Sequence, residues 1–171
     1  MNLKPKNDHS RRNAKPGNYF RDDDFFKSRI QRYCAYQERC SREVETKLLE
    51  WKVPSGKIVK IMNELKDDGF LNNTRFTQFF VHGKFSNNHW GRVKISYELN
   101  KKGISRKVID ASMKEIDEKS YIETMQTIIR KKREEIKEGK NLTIREKLIN
   151  FALSKGYEFD LILQTLNHMK I

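Results

Sequence analysis

The feature that most constrains this sequence is a set of five apolar positions that recurs twice at nearly constant spacing. The first set consists of Val44, Leu48, Ile58, Met62 and Leu65. The second lies 51 residues further on and the third another 53, and their members are Ile95, Leu99, Ile109, Met113 and Ile116, then Leu148, Ala152, Ile162, Leu166 and Met169. Because a fixed period of this length is typical of repeat architectures, we predict three copies of one structural unit.

Within each copy, the spacing of these positions indicates two helices joined by a turn. Apolar residues that recur after three and four positions form a stripe along one side of a helix. The turn contains Gly103 before Ile104 in the second copy and Gly156 before Tyr157 in the third. Glycine favours the left-handed conformation that ends many helices. In the first copy, Pro54 fits the first turn of the following helix.

A further helix precedes each pair, so we predict nine helices in all. The additional helices are expected at Asp24 to Arg39, Asn73 to Phe85 and Glu118 to Lys137. Thr143 and Glu146 form a capping-box pattern at the start of the eighth helix. The apolar residues expected to pack the middle unit against both neighbours are Phe76, Phe79, Phe80, Val81 and Phe85.

No segment shows the alternation of apolar and polar residues that is typical of a strand. We therefore predict an all-α fold of three tandem three-helix repeats, stacked into an elongated, curved body. The repeats are expected at residues 21–71, 72–117 and 118–171, after a disordered basic tail at 1–20.

The charge of the chain favours a polyanionic partner. Lys and Arg number 36 against 23 Asp and Glu, which gives a net charge of +13. Such an excess attracts DNA or RNA in a salt-dependent manner. Residues 72–117 carry nine bases and four acids, whereas residues 21–71 carry 11 bases and 10 acids. We therefore expect the middle unit to be the most electropositive.

The candidate contact residues are bases of the middle and third units and one tryptophan. Basic groups beside an aromatic ring suit phosphates and a stacked base. Trp90 equally suits simple packing at a helix start. The four bases at 130–133 spread round more than one helical turn, so they cannot all face one ligand. The full set of candidates is Arg75, Lys84, Trp90, Arg92, Lys94, Lys101, Lys102, Arg106, Lys107, Arg130 and Lys131.

The sequence contains no pattern typical of a catalytic or metal site. Its four histidines lie in separate predicted elements without ligand spacing. Cys34 and Cys40 lie six residues apart, unlike a CxxC pair, and we expect both in the core of a protein in a reducing cytoplasm. We see no secretory signal or membrane-spanning stretch. We therefore predict a soluble cytoplasmic binding protein that is not an enzyme and needs no cofactor or metal.

The segment 65–104 resembles the central signature of the RecX family. The matching residues are Gly69, Phe70, Asn72, Arg75, Phe76, Phe80, Gly91, Ile95, Glu98, Leu99, Lys102, Gly103 and Ile104. The first unit carries a similar family motif, made of Ser41, Glu43, Val44 and Leu48. The resemblance therefore runs from about residue 25 to residue 171. The sequence departs from the family pattern at Asn73, where Asp is common, and at His82 and Gly83, where Arg and a second polar residue are usual.

The resemblance implies a cytoplasmic negative regulator of the RecA recombinase. Such a protein lies in the groove of the RecA–DNA filament, limits filament growth and strand exchange, and thereby modulates homologous recombination, DNA repair and the SOS response. The expected partners are the RecA filament and single- and double-stranded DNA, and we expect a monomer. A helix-turn-helix DNA-binding regulator is the main alternative, since three-helix units of this size also build such domains. A structural scaffold or an enzyme with a scattered site is also open.

Overall fold

The computed structural model describes residues 19–136 and 142–171. Over these residues the chain forms nine helices and no strand. Unit 1 contains α1 (Tyr19–Tyr36), α2 (Ser41–Glu50) and α3 (Ser55–Asp67). Unit 2 contains α4 (Asn73–Asn88), α5 (Arg92–Lys101) and α6 (Arg106–Met113). Unit 3 contains α7 (Glu118–Glu135), α8 (Ile144–Lys155) and α9 (Phe159–His168). The predicted all-α fold of three tandem three-helix repeats is confirmed.

The first helix begins earlier than predicted. α1 starts at Tyr19, before the expected start at Asp24, so it includes the last two residues of the segment assigned to the tail. The rest of that predicted tail lies outside the described residues. The predicted capping box is present, since Thr143 precedes α8 and its backbone N–H donates to a carboxylate oxygen of Glu146 at 2.7 Å.

The second helix of every unit ends with the same hydrogen bond. A backbone N–H beyond the helix donates to a carbonyl five residues earlier, which is the Schellman arrangement. The donor and acceptor pairs are Val53 and Leu48, Ile104 and Leu99, and Tyr157 and Ala152. The residue before each donor is left-handed, with φ of 58° at Lys52, 75° at Gly103 and 88° at Gly156. A lysine thus takes the glycine position in unit 1, and Pro54 precedes α3 as its N-cap instead of lying in its first turn.

The repeated apolar positions form the core. All fifteen are buried except Met62 and Met169, which are half-buried. Unit 1 has an apolar cluster of its own, whereas units 2 and 3 share one continuous cluster. Both cysteines are core residues as predicted, and Cys40 belongs to the cluster of units 2 and 3 although it precedes α2. Burial raises the pKa of the Cys34 thiol to about 11.

One part of the predicted packing of unit 2 is wrong. Phe76 and Val81 are buried and Phe80 and Phe85 are half-buried, but the side chain of Phe79 is 64% exposed. α4 packs against α5 and α6. Phe79 lies outside the buried stripe of α4, because successive helix positions are rotated by about 100°.

Units 2 and 3 meet where the start of α5 approaches the end of α8. The Gly91 N–H donates to the Lys155 carbonyl at 2.8 Å, and the Val93 N–H donates to the Gly156 carbonyl at 3.1 Å. A Cβ on Gly91 would lie only 2.1 Å from the Gly156 oxygen. The approach is therefore possible only because position 91 has no side chain.

Candidate nucleic-acid interface

Trp90 lies at the centre of a group of lysines at the junction of units 2 and 3. α4 ends at Asn88, the left-handed conformation of its C-cap His89 turns the chain back, and the Trp90 N–H donates to the Lys84 carbonyl at 3.1 Å. The half-buried indole ring has the Lys84 ammonium 4.9 Å and the Lys94 ammonium 4.7 Å from its centroid. An ammonium held near an aromatic face is attracted by the quadrupole of the ring.

Lys94 and a third lysine, Lys155, bind the ends of helices across the junction. Lys94, on α5, donates from Nζ to the Ser154 carbonyl near the end of α8 at 3.0 Å. Lys155, at the end of α8, donates from Nζ to the Asn88 carbonyl at the end of α4 at 3.4 Å. Helix C-termini carry partial negative charge, so they favour cations. The contacts bring lysines from two units to one place.

Phe151 extends this arrangement into unit 3. The Lys155 ammonium lies 5.9 Å from the Phe151 ring centroid, and the Lys132 ammonium approaches the same ring at 5.7 Å. We call Lys84, Trp90, Lys94, Phe151 and Lys155 the Trp90 cluster. Among the described residues, no carboxylate forms an ion pair with any of its three lysines. The Trp90 cluster therefore offers three ammonium groups whose charge no acid in residues 19–136 or 142–171 neutralises through an ion pair.

Three other predicted contact residues are ion-paired between units. Arg75 Nε lies 2.6 Å from Glu38, Lys102 Nζ lies 2.7 Å from Glu43, and an Arg92 amino group lies 2.7 Å from Glu118. The first two pairs join unit 2 to unit 1, and the third joins it to unit 3. Their side chains are 39%, 28% and 25% exposed, so much of each is already used within the protein.

The Arg92 side chain makes two interactions within the protein. Its guanidinium carbon lies 4.1 Å from the centroid of the Tyr121 ring. Burial acts to lower the pKa of Arg92, but the hydrogen-bonded Glu118 carboxylate outweighs it, so the pKa is raised above its ordinary value. The charge of Arg92 therefore stabilises the junction of units 2 and 3.

The remaining predicted contact residues are exposed, and none of them is a member of the Trp90 cluster. Lys101 is 59% exposed, with its ammonium 4.9 Å from the Tyr97 ring and 3.8 Å from Glu98. Arg106 is 77% exposed and binds both carboxylate oxygens of Asp110, at 2.8 and 2.9 Å. The other exposed members are Lys107, Arg130 and Lys131.

Comparison with known proteins gives matches to RecX proteins. A family model described as the second three-helix domain of RecX matches residues 72–113. The chain is 26% identical to the regulatory protein RecX of Bacillus cytotoxicus over 81% of its own length, and 28% identical to that of Clostridium acetobutylicum over 85%. It spans about half, 51%, of the Bacillus relative and 69% of the Clostridium relative. The chain is therefore similar in sequence to RecX proteins.

Solved RecX structures have the same fold. The crystal structure of RecX from Lactobacillus salivarius superposes with a TM-score of 0.78 at 22% identity, covering 88% of this chain and 98% of that one. A second crystal structure, of a regulatory protein RecX, gives a TM-score of 0.77 at 18% identity. It covers 85% of this chain and 71% of that one.

The Trp90 cluster only partly overlaps the segment that matches the RecX model. Lys84, Trp90 and Lys94 lie within the matched residues 72–113, and sequence analysis identified all three. Phe151 and Lys155 come from unit 3, and sequence analysis missed them. A signal was available for Lys155, because it precedes Gly156 as the candidate Lys102 precedes Gly103. No sequence signal pointed to Phe151.

Of the residues that depart from the RecX pattern, Asn73 links two helices and His82 is exposed. The neighbouring Asn72, which matches the pattern, caps α4, since its side-chain oxygen accepts from the Thr74 and Arg75 N–H groups at 2.9 and 3.0 Å. The Asn73 side-chain oxygen accepts from the Ser41 N–H at 2.9 Å, which links α4 to the start of α2. His82 is exposed.

Two other kinds of feature are absent from the described part of the chain. No group of three or more His, Cys, Asp or Glu side chains in it is arranged to hold a metal ion. None of its helices combines the length and apolar character that a membrane crossing requires.

Proposed function

We propose that this chain is a cytoplasmic negative regulator of RecA. In this proposal it binds in the groove of the RecA–DNA filament, limits filament growth and strand exchange, and thereby restrains homologous recombination, DNA repair and the SOS response. The match to proteins named regulatory protein RecX supports the regulatory role. The observation that carries the proposed contact with the filament is the Trp90 cluster, with three lysines that no described carboxylate neutralises.

The cluster suits binding to a phosphate backbone. Its ammonium groups are held near aromatic rings and helix-end carbonyls, so less side-chain entropy is lost when a phosphate binds. Each phosphate neutralised by a lysine releases counterions, which makes the binding salt-dependent. Because the cluster joins units 2 and 3, a bound backbone crosses the junction between repeats. Inhibition then requires binding alone and no bond chemistry.

The other exposed bases are secondary contacts in this proposal. Lys101, Arg106, Lys107, Arg130 and Lys131 lie on the exposed surfaces of units 2 and 3. The inter-unit ion pairs of Arg75, Arg92 and Lys102 position the units instead of touching the filament. The partners are the RecA filament with its single- or double-stranded DNA, and one copy of the chain is the binding species.

The test is RecA ATP hydrolysis on single-stranded DNA with increasing amounts of this protein, at two salt concentrations. The informative variant is Lys84→Gln/Lys94→Gln/Lys155→Gln. We expect the wild-type chain to inhibit hydrolysis and the variant to need at least about tenfold more protein, because up to three phosphate contacts are lost. The salt slope of the variant should also be smaller.

The matched control removes the same charge from exposed sites away from the cluster. Lys60→Gln/Lys114→Gln/Lys119→Gln keeps the cluster, and its three lysines are exposed. The control should inhibit like the wild-type chain. Unchanged ATP hydrolysis, together with tight binding to duplex DNA alone, would contradict the proposal and favour the helix-turn-helix alternative.

A further inference from the structure

A groove next to the Trp90 cluster remains without a role. It has a volume of about 440 Å³ and lies between α4 and the segment that connects α1 to α2. Three aromatic rings line it, from Phe76, Phe79 and Phe80. Phe79 is 64% exposed, so its ring is accessible from the groove. We call this cavity the Phe79 groove.

The rest of the lining is polar and open. Gln37, Asn87 and Asn88 contribute amide groups, which both donate and accept hydrogen bonds. Gly83 also lines the groove, and a Cβ placed there would meet no atom within 4 Å. The groove therefore combines an exposed aromatic surface with free space and amide groups at its rim.

The Phe79 groove adjoins the Trp90 cluster through one shared residue, Lys84, and one residue that contacts the cluster, Asn88. Lys84 lines the groove, and its ammonium lies 5.4 Å from the Phe80 ring and 4.9 Å from the Trp90 ring. Asn88 lines the groove too, and its carbonyl accepts the hydrogen bond from Lys155. A ligand in the groove therefore lies directly beside the lysines of the cluster.

We propose that the Phe79 groove binds an unpaired base of single-stranded nucleic acid whose phosphates lie on the lysines of the Trp90 cluster. The inference rests on the proposed function, because it names what the cluster and the adjoining surface recognise. The exposed ring of Phe79 provides a face on which a base stacks. The asparagine and glutamine amides reach the edge of that base, and Lys84 and Lys155 bind the phosphates that flank it.

The geometry favours a single strand over a duplex. A base within a duplex has both faces covered by its neighbours and its pairing edge occupied, so only an unpaired base offers a face and an edge together. The lining of the groove favours nucleic acid over an acidic peptide segment. Glu38, the carboxylate in the lining, is paired with Arg75 at 2.6 Å, and the aromatic rings and amides suit a flat base.

The experiment measures direct binding of the full chain to labelled oligonucleotides without RecA. Three probes of equal length are compared by fluorescence anisotropy: oligo-thymidine, the same strand with abasic sites, and a duplex. The abasic strand keeps the phosphates and lacks the bases. We expect the wild-type chain to bind the base-bearing strand about tenfold more tightly than the abasic strand, since stacking on an aromatic ring contributes that much per base.

Two variants separate the groove from the cluster. Phe79→Ala removes the stacking surface and Gly83→Leu fills the groove, and each should reduce the preference for the base-bearing strand to nearly nothing. The lysine variant Lys84→Gln/Lys94→Gln/Lys155→Gln should instead weaken binding of both strands and keep most of the preference. Tyr36→Ala is the control, because Tyr36 is 88% exposed and outside the groove.

Equal affinity of the wild-type chain for the base-bearing and abasic strands would overturn the inference. So would a preference that survives both Phe79→Ala and Gly83→Leu. If these variants leave oligonucleotide binding unchanged but weaken the inhibition of RecA, the groove binds a protein segment and only the proposed regulation stands. If the base preference is present while RecA hydrolysis is unaffected by the chain, the inference stands and the proposed regulation fails.

Discussion

The two junctions between the repeats are built from different interactions. Units 2 and 3 share one apolar cluster, and the rings of Phe85 from unit 2 and Tyr121 from unit 3 lie 5.8 Å apart within it. Units 1 and 2 have separate cores and are joined mainly by polar contacts. These contacts are the ion pairs of Arg75 with Glu38 and of Lys102 with Glu43, and the hydrogen bond from Ser41 to Asn73.

This difference predicts that the two junctions differ in stability and that salt affects their stability to different extents. Apolar burial is insensitive to moderate salt, and close packing makes a junction intolerant of added atoms. Partly exposed ion pairs contribute little and weaken as ionic strength rises. Units 2 and 3 should therefore unfold together. The stabilisation that they gain from contact with unit 1 should decrease as the salt concentration rises. Three substitutions test this comparison.

The largest effect is expected for Gly91→Ala. A Cβ at this position would lie 2.1 Å from the Gly156 carbonyl oxygen and 2.5 Å from the Tyr157 nitrogen, and both are backbone atoms. Since neither moves without separating α5 from α8, we expect a loss of about 3 kcal/mol in the free energy of unfolding. Chemical denaturation measured by circular dichroism checks this.

The matched control is Gly83→Ala, the same substitution in an open position of α4. Alanine in a helix is more stable than glycine, so this variant should gain about 0.5–1 kcal/mol. Equal destabilisation by both substitutions would show that the close approach of α5 and α8 does not limit stability.

An intermediate effect is expected for Tyr121→Phe. The buried Tyr121 hydroxyl accepts from the Arg92 N–H at 2.9 Å and donates to Glu158 at 2.8 Å. Burial raises the pKa of Tyr121, so the hydroxyl stays protonated. Removing it leaves a partly buried N–H without a partner, which costs about 2 kcal/mol. Thermal unfolding followed by calorimetry measures the loss.

Tyr157→Phe is the comparison for this substitution. Tyr157 is equally buried, but its hydroxyl has no hydrogen-bond partner among the described residues. Its removal should leave the free energy of unfolding unchanged or raise it slightly. If the two tyrosine variants lose the same stability, packing alone and not the hydrogen bonds of Tyr121 holds this junction.

The smallest effect is expected for Glu43→Gln, at the polar junction. Burial by itself raises the pKa of Glu43, but the hydrogen bond and charge of Lys102 and the Cys40 N–H outweigh it, so the pKa is lowered. Because the folded pKa lies below the ordinary value of 4.5, the ion pair stabilises the fold above that pH. This stability is lost as the pH falls through the folded pKa.

We expect Glu43→Gln to cost about 1 kcal/mol at low salt and neutral pH. The cost should shrink at high salt, and it should shrink as the solution is acidified below the ordinary carboxyl pKa. Urea denaturation at two salt concentrations and several pH values measures both trends. Glu50→Gln is the control, since its pair with Lys47 lies within unit 1 and 55% of its side chain is exposed. A salt-independent cost for Glu43→Gln would remove the distinction between the junctions.

Features that depend on local sequence were predictable. The repeated apolar positions identified the buried residues of all three units, because burial follows the period of a helix. The left-handed turn at Gly103 and the cap at Thr143 also follow from short-range chemistry. Lys52 was not predicted as a left-handed residue, since lysine has no preference for that conformation and the turn imposes it.

The candidate site was predictable only in part. The surplus of bases in unit 2 pointed to Lys84 and Lys94, and Trp90 was predicted as the aromatic ring among these bases. The structure brings the three residues together. The same surplus did not distinguish them from Arg75 and Lys102, whose acidic partners lie in unit 1. Whether a base is neutralised depends on residues far away in the sequence, and composition does not contain that information.

The sequence by itself determined the helices, their repetition and the apolar side that each unit buries, because these depend on residues within a few turns of one another. The tertiary structure decided which charges remain unneutralised. It placed Lys155 of unit 3 at the end of α4, and it left Phe79 at the rim of a groove. These outcomes depend on the way the units stack, and the stacking is set by close contacts such as that between Gly91 and Gly156, which join residues more than sixty positions apart.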